Sequence, residues 1–92
     1  MVITVGHEAD PARRIRKAQG GKLRQYRKLR GLTLREVAEA MNDMPGVAVT
    51  PQAIGQWELG NATPRPHMQL AVARALDFLP SAVFGLDAEA AA

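Results

Sequence analysis

Apolar residues recur every three or four positions through most of this chain, and each stretch with that spacing is bracketed by residues suited to start or stop a helix. From Lys22 to Arg30, Leu23, Tyr26 and Leu29 keep helical spacing, and Gly31 supplies a C-terminal stop. Thr33 is placed to cap the next helix, and Glu36, three residues on, completes a capping-box pattern. In that second helix Leu34, Val37, Ala38 and Met41 form one narrow apolar stripe, while Arg35, Glu36 and Glu39 face water. Pro45-Gly46 then predicts a loop over 42–49.

The stretch "TPQAIGQWELG" carries a proline and a central glycine yet reads as a helix. Thr50 is its N-cap, and Pro51 stands at the first helical position, where the missing N–H would have been unpaired anyway. Successive residues turn by about 100°, which puts Ala53, Ile54 and Trp57 on one face and Gln52, Gly55, Gln56 and Leu59 on the other. Gly60-Asn61 ends it. A helix from about Pro66 to Phe78 follows, with apolar residues nearly all round it, which marks it as central, and Pro80-Ser81 starts a short fifth helix. Near the N-terminus Asp10-Pro11 leads into "ARRIRKAQ", and Gly20-Gly21 is expected to interrupt it, since each glycine costs about 1 kcal/mol inside a helix. Val2-Ile3-Thr4-Val5 has strand character but is too short to stand alone. The organisation expected is a basic arm or extra helix over 1–19, one domain over 20–85 and a flexible tail over 86–92.

Composition narrows the function. A chain of 92 residues builds one small core, and with no cysteine there is neither a disulfide framework nor a cysteine-type zinc site; a reducing cytoplasm is the simplest home. The net charge of +3 conceals an asymmetry: between Pro11 and Arg35 every charged residue is basic. Such a block is a footprint for a polyanion, nucleic acid or an anionic membrane surface, set against the plainer reading of a solvated face. The membrane reading is weak, because the stripe of Ile15, Leu23, Tyr26 and Leu29 is sparse and is expected to serve the core. An enzyme is not expected. His7, Glu8 and Asp10 lack a second element to close a metal site, His67 stands alone, and no cofactor is called for.

The run "LRQYRKLRGLTLREVAEAM…VTPQAIGQWELGNATP" resembles the Cro/C1-type (XRE-like) helix-turn-helix family of phage repressors and bacterial regulators over residues 20–85. The resemblance is most specific at Ile54, Trp57, Glu58 and Gly60, followed by Pro64, with Arg27 at the family's first-helix arginine and Ala38 at its tight second-helix contact. It implies an all-α, five-helix, lambda-repressor-like domain whose helix 51–59 enters the major groove of a double-stranded DNA operator. The protein would then be a sequence-specific transcriptional regulator, a phage or bacterial repressor binding as a homodimer in the bacterial cytoplasm or nucleoid. An antitoxin that binds a protein partner as well as its own operator shares this fold and stays open as the alternative.

The resemblance also assigns residues. Gln52 and Gln56, four apart on one face, have the amides that pair with base edges; Pro51 sits where relatives often place a base-contacting amide, and Gly55 leaves room for close approach. Thr50 and the amides at the start of that helix would meet a phosphate. Asn61, Thr63 and Arg65 lie where the family's loop touches the DNA backbone, Arg24 and Arg35 are candidates from the first two helices, and Arg13, Arg14, Arg16 and Lys17 would track the backbone as an arm. Arg27 and Glu58 would form a structural clamp around a core Trp57. Two features depart from the family: Leu34 stands where a phosphate-contacting glutamine is common, and the turn over 42–49 is longer, so that it either bulges outward or changes the angle between helices. Val83, Phe84 and Leu86, within Pro80 to Leu86, are the expected dimer contact.

Overall fold

Each helix begins where the chain supplies an acceptor or a proline for the amides that a first turn leaves unpaired. A computed structural model describes residues 10–85, which form α1 Pro11–Leu29, α2 Leu34–Asn42, α3 Pro51–Leu59, α4 Pro66–Leu76 and α5 Pro80–Phe84, with no strand among the described residues. Asp10 Oδ1 accepts from the Ala12 amide at 3.0 Å and Thr50 Oγ1 from the Ala53 amide at 3.1 Å, each ahead of a proline at the first helical position. In the capping box of α2 the Glu36 amide donates to Thr33 Oγ1 at 3.1 Å, and the Thr33 amide donates to Glu36 Oε1 at 2.8 Å. The fold is the all-helical architecture expected from the periodicity. Val2-Ile3-Thr4-Val5, His7, Glu8 and Leu86 lie outside the described residues.

The core is built around Leu23 of α1, Val37 and Met41 of α2, Ile54 and Trp57 of α3, and Val72 and Leu76 of α4. α1 lies along α3, α2 packs on both α3 and α4, and α5 closes the assembly against α1 and α4. Phe78 joins the first and last helices, its ring stacked on Tyr26 with centroids 4.7 Å apart and tilted to Phe84 at 6.4 Å.

The structure corrects four expectations. First, Gly20-Gly21 does not interrupt α1, which runs unbroken from Pro11. Gly20 is buried where α1 presses on the end of α3, and a Cβ there would fall on the Trp57 carbonyl oxygen and 2.5 Å from that of Glu58. The glycine is a packing requirement, and the contact it permits outweighs its helix cost. Second, Leu29 is 70% exposed and Ile15 56%, so they leave the core stripe to Leu23 and Tyr26. At about 100° per residue Leu29 stands some 120° from Leu23, whereas Arg16, Gly20, Arg27 and Arg30 all fall within about 60° of it. Third, α4 ends at Leu76, with Asp77 in the left-handed region at φ 59°, and Leu70 is exposed; an all-round apolar pattern made largely of alanine did not mean all-round burial. Fourth, Val83 and Phe84 are buried in the protomer's own core, so neither offers a surface to a second copy.

The long turn between α2 and α3 is held in place. Asn42 Nδ2 donates to the Val49 carbonyl at 2.9 Å, and the Val49 amide donates back to Asn42 Oδ1 at 2.8 Å. Met44, Val47 and Val49 pack against the core. The inserted residues therefore form a pinned, partly buried loop with an apolar underside, and not an outward bulge.

Candidate nucleic-acid interface

α3 is anchored by one face and bare on the other. Ile54 and Trp57 are buried, while Gln52, Gln56 and Leu59 are exposed on the opposite side. Below it, Arg27 grips Glu58 in a two-point pair: Nε donates to Oε2 at 2.7 Å and Nη2 to Oε1 at 2.9 Å. A third donor of the same guanidinium, Nη1, reaches the Leu32 carbonyl at 2.9 Å, in the turn between α1 and α2. The side chains are only 13% and 8% exposed. The hydrogen bonds to Glu58 and its charge raise the Arg27 pKa above the usual arginine range, against the lowering effect of burial.

The C-terminal end of α3 is held from α1. Gly60 closes the helix in the left-handed region at φ 78°, buried against Lys17, whose Cα would lie 2.8 Å from a Cβ at that position. Arg16 Nε donates to the Gly60 carbonyl at 3.2 Å. The turn carries the Asn61 amide back to the Gln56 carbonyl at 3.0 Å and brings Asn61 Nδ2 to Gln56 Oε1, also at 3.0 Å. Asn61, assigned to the DNA backbone by resemblance, is thus engaged with a residue assigned to the bases.

The remaining candidates fall into separate groups. Thr50, Thr63 and Arg65 line one groove of about 630 Å³, floored by Ala53 and Trp57 and flanked by the pinned loop. Arg13, Lys17 and Arg24 share one face of α1, at about 80–120° from Leu23, and Lys28 continues it. All four are exposed. Arg14 lies on the far side of that helix and Arg16 is turned inward. Arg35 is exposed near the start of α2, and Pro51 is partly buried. Gly55 is partly buried as well, and a Cβ on it would meet Leu34 Cδ1 at 3.5 Å, so its bare side is turned toward α2.

Sequence reasoning missed the inward work of the basic block. Arg30 donates from Nε to the Leu76 carbonyl and from Nη2 to that of Asp77, each at 2.9 Å, closing the end of α4. The signal lies in the spacing of Arg16, Gly20, Leu23, Arg27 and Arg30, which is that of one helix face, but a charged side chain reads by default as outward-facing. Among the described residues there is no cluster of three metal-ligating side chains, and no helix is long and apolar enough to cross a membrane.

A family model described as helix-turn-helix matches residues 23–84. The chain is similar to the crystal structure of the clp gene regulator ClgR from C. glutamicum, with 30% sequence identity and a TM-score of 0.65 over 84% of this chain and 91% of that one. No curated protein matches significantly.

Proposed function

The chain belongs to the Cro/C1-type helix-turn-helix family of DNA-binding transcriptional regulators, and on that footing we propose that it is a sequence-specific repressor of phage or bacterial origin, laying α3 in the major groove of its operator. The observation that carries this reading is the two-sided character of α3: buried through Ile54 and Trp57, it leaves Gln52 and Gln56 free of the core on one exposed face. An α-helix fits the major groove, and an amide has both a donor and an acceptor with which to read a base edge. Pro51, at the first helical position, brings the start of α3 close to the bases. Thr50 with the α3 amides, Thr63 and Arg65 converge on one groove, suited to seat a backbone phosphate beside the recognition helix. The protein acts in the bacterial cytoplasm as a homodimer on half-sites about one helical turn apart.

Binding-site selection from random double-stranded DNA tests the reading. The wild-type chain should select one motif, and Gln52→Ala with Gln56→Ala should lose sequence preference while nonspecific affinity survives. A wild-type pool that stays random after repeated rounds would end the proposal. The exposed face of α1 adds a second expectation. Replacing Arg13, Lys17 and Arg24 together by alanine should flatten the slope of log affinity against log salt by about 2–3, close to one unit for each phosphate no longer neutralised. An unchanged slope would remove α1 from the interface.

A further inference from the structure

We infer that Asn61 is a specificity-determining residue: by holding the acceptor oxygen of Gln56, it turns that side chain into a hydrogen-bond donor toward the DNA and so selects keto bases over amino bases at one operator position. The inference rests on the proposed placement of α3 in the major groove and adds to it the chemistry read there.

A glutamine amide is ambivalent. Its oxygen accepts, its nitrogen donates, and a free side chain offers either by turning about its last torsion. Major-groove edges divide along the same line at their exocyclic groups: guanine O6 and thymine O4 accept, whereas adenine N6 and cytosine N4 donate, with N7 of either purine accepting beside them. A freely turning Gln56 would therefore discriminate little between the two classes. In this chain it is not free, because Asn61 Nδ2 donates to Gln56 Oε1 at 3.0 Å, which leaves Nε2 and its hydrogens as the groups presented.

Three observations fix the backbone that carries the holder. The Asn61 amide is bound to the Gln56 carbonyl at 3.0 Å, so the two residues are tied through backbone as well as side chain. Gly60, the helix cap that precedes Asn61, is locked in the left-handed region and packed against the backbone of Lys17. Its carbonyl is taken by Arg16 at 3.2 Å. The first turns of α1 thus brace the turn that carries Asn61, and Asn61 orients the reader. Arg16 acts here as a positioning residue. The hydrogen bond is exposed and weak in free protein; in the groove, where water is displaced, reversing the Gln56 amide alone would set its NH2 against that of Asn61.

The experiment is binding-site selection with the full chain and with Asn61→Ala and Asn61→Asp, with circular dichroism melts to show that all three fold alike. Wild type should favour guanine or thymine over adenine or cytosine at one position by roughly tenfold or more. Asn61→Ala, which frees the amide, should relax that position while leaving the rest of the motif intact. Asn61→Asp accepts from Gln56 Nε2 instead, turns the oxygen outward, and should move the preference to adenine or cytosine, with a uniform loss of affinity from its negative charge. A variant of either kind that retains the wild-type preference at every position overturns the inference while leaving the DNA-binding reading in place. A wild-type chain that selects no motif overturns both.

Discussion

Arg27→Ala is expected to lower stability by about 3–5 kcal/mol, because it leaves the Glu58 carboxylate charged, almost fully buried and without its partner. The same substitution removes the donor to the Leu32 carbonyl, which fixes the turn into α2. For a domain of this size that loss corresponds to a fall of about 12–40 °C in the midpoint of thermal unfolding. Much of the cost belongs to the stranded charge and not to the worth of the pair, so Arg27→Met combined with Glu58→Met should recover most of it. Thermal melts of the single and double variants decide the matter. An Arg27→Ala protein that melts with the wild type would show that the pair contributes nothing to the fold.

The second large effect is a change of sign between neighbours. Gly20→Ala should destabilise by about 2–3 kcal/mol, since the added methyl meets the carbonyl groups of Trp57 and Glu58, backbone atoms that cannot swing aside as a side chain would. Gly21→Ala should stabilise by about 1 kcal/mol, because nothing lies within 4 Å of the new carbon and alanine is the better helix former. Denaturant titrations of the two variants read both directly. Equal shifts in the same direction would mean that α1 does not pass α3 at the distance described.

These two glycines show where sequence reading stopped. Helix propensity treats them alike and places a break between Gln19 and Lys22; only the neighbouring helix distinguishes them, and it is more than thirty residues away in the chain. Local signals did well where the decisive partner is also local. The capping box of Thr33 and Glu36 and the Thr50-Pro51 start of α3 lie where their spacing puts them. The pairing of Arg27 with Glu58 was legible only through family resemblance, for no periodicity links positions so far apart. Leu29 and Ile15 misled because apolar character is a one-way guide to burial: both stand well round α1 from Leu23, off the face that the helix turns to the core. The shared exposed face of Gln52 and Gln56 follows from helical geometry, whereas the link from Gln56 to Asn61 depends on a left-handed turn at Gly60 that folds the chain back on itself.

Arg16, Arg27 and Arg30 project from one face of α1 and close hydrogen bonds across 44, 31 and 46 residues of chain. Between them they hold the end of α3, the turn into α2 and the end of α4. No pair of helices can then separate from the rest with its own ends satisfied, and the domain has no natural seam along which to open part-way. Amide hydrogens in the middle of α2, α3 and α4 are therefore expected to exchange with solvent through a common opening of the whole domain and not through local fraying, which native-state hydrogen exchange would read.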